Sequence, residues 1–225
     1  MMLSVGLWRI KARIVPRLEG SGRNVSGTLY LVPEDVQMHA IRSYLPFEKI
    51  GLIYNANEVN AVISADNVRS VAAEQGFTVV SRTVPLDADN HPVAESLPGL
   101  VAELAAENVD LIYLGSSSFI LINRNAFTAA AVEAGIPVAA ASEVAVTESQ
   151  ALMGLVSRYY SVGQLTGRRA EKILIEGAEP ATMAIEPLAR FSLIVNMPVA
   201  RKLGLFPPMT LFNTVEVIET QGAQR

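Results

Sequence analysis

Three asparagines in one short segment have the residue type and position needed to bind a small molecule. Asn55 and Asn57 follow an apolar run, residues 49–54, and Asn60 falls in the first turn of residues 58–75, where apolar side chains recur at helical spacing. The first turn of a helix exposes free N–H groups and a positive dipole end, so it favours an anion such as a carboxylate. The side-chain amides would add donors. The alternative is that Asn57 only caps the helix.

Two further polar clusters have the same position after apolar runs of strand length. Their members are Ser116, Ser117 and Ser118 after residues 109–114, and Ser142 and Glu143 after residues 136–140. The three serines could make polar contacts to a ligand. They only loosely resemble a phosphate-binding turn, and the alternative is a serine-rich N-cap of the next helix.

Arg158 and Tyr159 follow another apolar run, residues 151–157. An arginine at this point could bind a carboxylate through two parallel hydrogen bonds, and the tyrosine could stack on a ring. The alternative is a surface arginine beside tyrosines that pack at the edge of the sheet.

The sequence predicts no catalytic residues, no metal site and no cofactor. The chain has no cysteine and two histidines, His39 and His91, neither with a second ligand at helical spacing. The glycine motifs of nucleotide-binding folds and the nucleophile elbow of hydrolases are absent. A net charge of −4 gives no electrostatic basis for binding nucleic acid. We therefore expect a binding protein rather than an enzyme.

Strand and helix patterns alternate from residue 49 onward, which predicts the fold class. Short apolar runs alternate with amphipathic segments, and Gly76, Gly135 and Gly177 stand where helices should end. Repeated βα units favour an α/β fold with a Rossmann-like parallel sheet and helices on both faces. Ligands of such sheets lie beyond the carboxyl ends of the strands, where the polar clusters fall.

No uncharged apolar run approaches the roughly 18 residues that a membrane-spanning helix needs. Residues 1–8 are apolar but have no basic residue before them, so they do not have the pattern of an export signal. Taken alone, an N-terminal segment without the pattern of an export signal would predict a cytoplasmic protein.

Six segments in order resemble a family of ABC transporter substrate-binding proteins, the branch linked to uptake of tryptophan, tyrosine and other amino acids. In the second segment, Tyr54-Asn55 with Glu58 and Asn60 resembles the family's Tyr-Asn-Pro followed by Glu and Asn-Ser. The six segments are residues 22–27, 49–60, 109–115, 135–138, 159–180 and 191–208. Together they extend from about Gly20 to the C-terminus.

The resemblance implies the periplasmic-binding-protein-like type I fold, two lobes joined by crossing strands with the ligand between them. By this resemblance, residues 47–188 form the ligand-binding second lobe. Residues 1–46 and 189–225 form part of the first lobe, and its opening strands and the export signal would precede Met1. Bare apolar surface on an incomplete lobe would favour a homodimer.

Three positions depart from the family's pattern and bear on the ligand. Ala56 replaces the family's proline, Ser117-Ser118 replace Asp-Asn, and Arg158 stands where the family often has an acidic residue. An acidic side chain could bind the ammonium group of an amino acid, whereas an arginine cannot. A carboxylate-bearing ligand without a free amine is therefore the alternative to an amino acid.

The resemblance implies a periplasmic or extracytoplasmic protein that binds a small molecule and presents it to an ABC permease. The alternative is a ligand-sensing module that uses the same fold to report to a regulator or kinase. An enzyme on a doubly wound sheet ranks third, since fold alone does not determine function.

Overall fold

The computed structural model describes residues 2–5, 17–188 and 190–219. The chain divides into two compact units, each made of two separate stretches. The smaller unit comprises Met1–Val32 and Ser157–Phe191, and the larger comprises Pro33–Val156 and Ser192–Arg225. Residues 6–16, which include part of the apolar start considered as an export signal, lie outside the described residues.

The described helices and strands follow one another along the chain with short connections. In order they are β1 (Met2–Val5), β2 (Ser26–Leu29), α1 (Glu34–Tyr44), β3 (Lys49–Tyr54), α2 (Val59–Gln75), β4 (Thr78–Thr83), α3 (Leu97–Ala106), β5 (Leu111–Leu114), α4 (Ser118–Ile122), α5 (Arg124–Glu133), β6 (Val138–Ala140), α6 (Glu143–Thr147), β7 (Met153–Val156), α7 (Tyr159–Leu174), β8 (Glu186–Pro187), β9 (Ser192–Asn196), α8 (Met197–Leu203) and β10 (Val215–Ile218). Single 3₁₀ turns lie at Ala94–Ser96 and Met209–Leu211.

The larger unit contains a seven-stranded sheet in the order β10-β9-β7-β6-β5-β3-β4. Its neighbouring strands are parallel except β7 and β9, which pair antiparallel with Gly154 opposite Ile194. The inner strands are almost continuously apolar, as expected for parallel strands that are covered on both faces. The predicted α/β fold with a parallel sheet and helices on both faces is confirmed.

Alternating residues of each strand supply two separate cores, one on each face of this sheet. On β5, Leu111 and Tyr113 belong to one core, while Ile112 and Leu114 belong to the other. Buried residues of α1, α2 and α8 complete the first core, and those of α3, α5 and α6 complete the second. Full burial of one such aliphatic side chain contributes roughly 1.5–3 kcal/mol.

A glycine ends α2, as the sequence pattern predicted. Gly76 has a φ of 71°, in the left-handed region, and its N–H donates to the carbonyl of Ala72 at 2.9 Å. This conformation strains any residue with a side chain. The helix therefore stops there and the chain turns directly into β4.

The smaller unit has a three-stranded parallel sheet, β1-β2-β8, packed with α7. Arg169 of α7 is buried and donates to the hydroxyl of Ser26 at 3.2 Å and to the carbonyl oxygen of Ala184. Its guanidinium also lies 3.4 Å from the carboxylate of Glu186. These bonds join the helix to the region around β2 and β8.

The two units differ from the predicted lobe bounds of 1–46, 47–188 and 189–225. Helix α1 belongs to the larger unit, because Met38 and Ile41 pack in its core. Residues 157–188 belong to the smaller unit, whereas β9 joins the larger sheet through its pairing with β7. The predicted bounds came from the resemblance, and the sequence pattern does not show which strands pair.

None of the described helices is both long and apolar enough to cross a membrane.

Candidate functional site

The polar segments that follow β3 and β5 lie together at one edge of the larger sheet. The two strands are parallel neighbours, with Leu52 opposite Tyr113, so both carboxyl ends open onto the same edge. The side-chain amide of Asn60 donates to the carbonyl oxygen of Ser116 at 3.0 Å. The first and second predicted clusters therefore form one group, which we call the carboxyl edge: residues 55–60 and 115–118.

Asn55 and Asn57 shape the loop that leads into α2. Asn55 is buried, and its side-chain oxygen accepts the backbone N–H of Asn57 at 3.0 Å. The amide nitrogen of Asn57 donates to the carbonyl of Asn90 at 3.0 Å. The N-cap residue of α2 is Glu58, so the capping role considered for Asn57 is wrong.

Two side chains of α2, Asn60 and Ser64, hold the turn after β5 through hydrogen bonds. Asn60 donates to both the carbonyl and the hydroxyl oxygen of Ser116, at 3.0 and 3.4 Å. The backbone N–H of Ser116 donates to the hydroxyl oxygen of Ser64 at 3.4 Å, and Ser64 in turn donates to Glu34 at 3.0 Å. These bonds fix the turn before any ligand binds.

Ser117 is the N-cap of α4, and its hydroxyl is fully used inside the chain. It accepts the N–H of Ile120 at 3.3 Å and donates to the carboxylate of Glu58 at 2.8 Å. The second carboxylate oxygen of Glu58 accepts the N–H of Phe119 at 2.8 Å. For Ser117, the capping alternative is confirmed. Ser118 begins α4 and is exposed.

Ser142 and Glu143 follow β6, which pairs with β5 on the side away from β3. Because β6 is parallel to β5, its carboxyl end opens onto the same edge of the sheet. Ser142 is the N-cap residue of α6, and Glu143 is its first residue. These two residues extend the carboxyl edge by one strand.

Arg158 and Tyr159 belong to the smaller unit. Arg158 directly precedes α7, and Tyr159 begins that helix with 43% of its surface exposed. The predicted site residues therefore fall in both units: those after β3, β5 and β6 in the larger one, and these two in the smaller one.

Three residues that shape the carboxyl edge were not predicted: Glu58 within it, and Glu34 and Ser64 beside it. Glu58 had a local signal, because it lies between Asn57 and Asn60 at the start of a predicted helix. Glu34 and Ser64 had none, because their contact joins α1 to α2 across the fold.

A buried tyrosine lies under the turn. Burial raises the pKa of the Tyr113 hydroxyl well above its usual value, and the negative charge of Glu34 acts in the same direction. A β-carbon at Gly115 would stand 3.2 Å from the Tyr113 ring, so the glycine lets the turn approach the ring closely. Tyr113 therefore stays protonated and supports the turn.

The carboxyl edge offers hydrogen-bonding groups to a ligand. It presents hydroxyls, amides and the carboxylate of Glu58. Across the described residues, no group of three or more His, Asp or Glu side chains could hold a metal ion. His39 and His91 are both exposed, on α1 and in the loop after β4.

Comparison with known proteins identifies the chain's relatives. The family described as ABC transporter substrate binding protein matches residues 4–216. A tyrosine-binding protein of Clostridioides difficile is 27% identical over 197 residues, which are 87% of this chain and 54% of that protein. The chain thus spans about half the length of this relative.

Solved structures agree with this comparison. A conserved domain protein from Vibrio cholerae has a TM-score of 0.80 at 26% identity, covering 94% of this chain and 68% of that one. An ABC domain from Streptococcus pneumonia, solved in complex with L-Trp, has a TM-score of 0.78 at 21% identity, covering 94% and 70%. The similarity to the second structure shows a shared fold, the periplasmic-binding-protein-like fold that the sequence resemblance implied.

The family match covers nearly the whole chain and agrees with the order of strands and helices. The chain belongs to the ABC transporter substrate binding protein family, whose members bind substrates and are not enzymes.

Proposed function

We propose that this protein binds a small carboxylate-bearing organic molecule outside the cytoplasm and delivers it to an ABC permease. The solute is an amino acid or an aromatic or other organic acid. Family membership supports the role in transport. The tyrosine-binding relative makes tyrosine the first ligand to test.

The observation that carries the proposal is the hydrogen bonding of Ser116. Its hydroxyl oxygen accepts a hydrogen bond from Asn60 at 3.4 Å, so the hydroxyl hydrogen points elsewhere. Within the described part of the chain, no acceptor takes that hydrogen. Ser116 is half-buried at the carboxyl edge, and it can donate to an oxygen atom of a bound solute.

The other predicted residues have distinct parts in this proposal. Asn55, Asn57 and Asn60 hold the edge in shape, while Ser118, Ser142 and Glu143 line it further along the sheet. In the smaller unit, the Arg158 guanidinium binds the carboxylate of the solute, and Tyr159 stacks on its ring. Binding between two lobes is the part of the proposal that rests on the resemblance alone.

Thermal unfolding of the full chain tests the proposal. The panel is L-tyrosine, L-tryptophan, other amino acids, aromatic acids and short organic acids. A ligand at about 100 times its Kd should add roughly 2.7 kcal/mol to the free energy of unfolding. If no member of the panel raises the unfolding temperature, solute binding by this chain is refuted.

A pair of double variants tests the residues. Arg158→Ala with Asn60→Ala should abolish most of the ligand-dependent shift. Arg201→Ala with Asn213→Ala removes the same residue types from exposed positions near β10, at the far edge of the sheet, and should leave the shift intact. If the first double variant keeps the full shift, the assigned site is wrong.

A further inference from the structure

We infer that the solute carries an ammonium group and that the carboxylate of Glu58 binds it. The inference rests on the proposed function, because it names the chemical class of the solute at the same site. It selects an amino acid over an acid without a free amine. It also assigns a binding role to a residue that the sequence analysis did not select.

The first argument is the bonding of the Glu58 carboxylate. Each of its oxygens accepts one hydrogen bond at 2.8 Å, from the hydroxyl of Ser117 and from the backbone N–H of Phe119. Both donors are neutral, so they leave the negative charge uncompensated. A carboxylate has about four acceptor positions, so roughly two remain open.

The second argument is that no cation of the chain balances this charge. Among the described residues, no lysine, arginine or histidine forms an ion pair with Glu58. The carboxylate is half-buried, and its neighbours Asn57 and Val59 are exposed, so solvent and solutes reach this point. A charge held rigidly at an open edge is suited to a ligand of opposite charge.

The other acidic residues nearby are less suited. Both oxygens of Glu34 accept hydrogen bonds from α2, from Ser64 at 3.0 Å and Asn67 at 3.3 Å. This carboxylate therefore serves the contact between two helices. Glu143 lies one strand further along the sheet, beyond β6. Of the acidic residues that the structure describes, Glu58 is the one with a hydrogen bond to the Ser116–Ser117 turn.

The helix dipole does not reverse this preference. The N-terminus of α2 carries the equivalent of about half a positive charge, which repels a cation by roughly 0.3–1 kcal/mol at exposed sites. Glu58 precedes α2 directly, and the charge of a carboxylate is about twice that partial charge. The net field at its open acceptor positions therefore attracts an ammonium group and repels a second carboxylate.

The test compares two ligands that differ only in the ammonium group: L-tyrosine and its desamino analogue, hydroxyphenylpropanoic acid. Titration calorimetry gives both Kd values for the wild-type chain, for Glu58→Gln and for the control Glu74→Gln. Glutamine keeps the size and an acceptor oxygen of residue 58 but removes its charge. Glu74 is exposed near the other end of the same helix, so its replacement controls for net charge.

We expect Glu58→Gln to weaken tyrosine binding about tenfold or more, as for a lost charge-assisted hydrogen bond, and to change the analogue's Kd less than about twofold. Glu74→Gln should change neither value. The wild-type chain should bind the analogue at least about tenfold more weakly than it binds tyrosine. This comparison uses the wild-type chain alone, so it does not depend on whether the variant folds.

Each contrary result has a distinct meaning. If Glu58→Gln weakens the binding of both ligands equally, or of neither, the inference is overturned and the proposed function still stands. The same holds if the wild-type chain prefers the analogue to tyrosine. If the wild-type chain binds no member of the larger panel, both the proposed function and this inference fail.

Discussion

Ser64 on α2 lies so close to Gly115 that its hydroxyl oxygen would stand 2.6 Å from a β-carbon at position 115. Real β-carbons do not approach other atoms so closely, so Gly115→Ala must displace Ser64 or the turn. Ser64 also bonds Glu34 and the N–H of Ser116, and displacing it would disturb those contacts. The absence of a side chain at 115 is therefore a requirement of the turn.

We expect Gly115→Ala to lower the free energy of unfolding of the larger unit by about 1–3 kcal/mol, as overpacking does. Adding Ser64→Ala should recover part of this loss, because it removes the oxygen that clashes. Gly99→Ala is the control, since a β-carbon there meets nothing within 4 Å. Urea unfolding of the wild type, the three single variants and the double variant measures the effect. Full additivity of Gly115→Ala and Ser64→Ala would contradict the proposed clash.

Ser116 and Ser117 should respond differently to the same substitution. Ser117→Ala removes the cap of α4 and a donor to Glu58, and should cost about 1 kcal/mol of stability. Ser116→Ala should cost less than about 0.5 kcal/mol but weaken ligand binding about fivefold, since its hydroxyl hydrogen has no described acceptor in the chain. Unfolding and calorimetry together separate the two effects; the reverse pattern would exclude Ser116 from the site.

Arg169 should stabilise the smaller unit locally. Arg169→Ala removes hydrogen bonds to Ser26 and Ala184, and this should lower the local free energy of unfolding by about 2 kcal/mol. The ion pair with Glu186 should contribute little, because the Glu186 side chain is 60% exposed. Hydrogen exchange of the backbone amides of α7 measures how often this helix opens locally. Arg168→Ala, at an exposed neighbouring position, is the control. Equal exchange in the two variants would show that the buried contacts contribute nothing.

Alkaline pH should weaken the packing of α1. Burial raises the pKa of Tyr44 to about 12, and its hydroxyl donates to the carbonyl of Leu205 at 2.8 Å. An unfolded tyrosine titrates near pH 10, so between about pH 10 and 12 the folded state holds the proton that the unfolded state loses. This contribution, about 2–3 kcal/mol at most, is present below pH 10 and is lost as the pH rises through the folded pKa.

Tyr44→Phe isolates this contribution because phenylalanine does not titrate. We expect the wild-type chain to be more stable than the variant at pH 8, by about 1 kcal/mol for the lost hydrogen bond. The difference should fall to zero between about pH 10 and 12 and then reverse, because the loss of about 2–3 kcal/mol exceeds this hydrogen-bond contribution. A difference that is constant over this range would contradict the burial of the hydroxyl.

Local patterns in the sequence predicted much of the fold. Apolar runs and helical spacing placed β3, α2, β5 and α7 within a few residues, and Gly76 marked the end of α2. The segment between the serine cluster and Gly135 is not one helix but two, which meet at Asn123. Its apolar residues continue through this break, so the hydrophobic pattern alone could not reveal it.

The clustering of the candidate residues after β3, β5 and β6 was predictable, because it follows from topology. Parallel strands bring the segments after β3, β5 and β6 to one edge, whatever the side chains are. Which groups bind one another was not predictable. The contacts of Glu34 with Ser64 and of Glu58 with Ser117 join residues far apart in the chain, and the sequence carries no periodic signal for such pairs.

The same limit explains the bounds of the two units. Strand β9 lies in a stretch that the resemblance assigned to the first lobe, yet it pairs with β7 of the larger sheet, from which the whole segment 157–191 separates it. Strand pairing across such a distance depends on the three-dimensional fit of the cores. Local propensity does not encode it.

The antiparallel pairing of β7 with β9 also sets the order of events during synthesis. A ribosome must release residues 157–191, which build the second stretch of the smaller unit, before β9, the partner of β7, emerges. Until then β7 has one unpaired side, and an open strand edge is a site of misassembly between nascent chains. Such distant pairing also slows folding. Chaperones that protect the nascent chain should therefore matter most in the interval between the appearance of Val156 and that of Asn196.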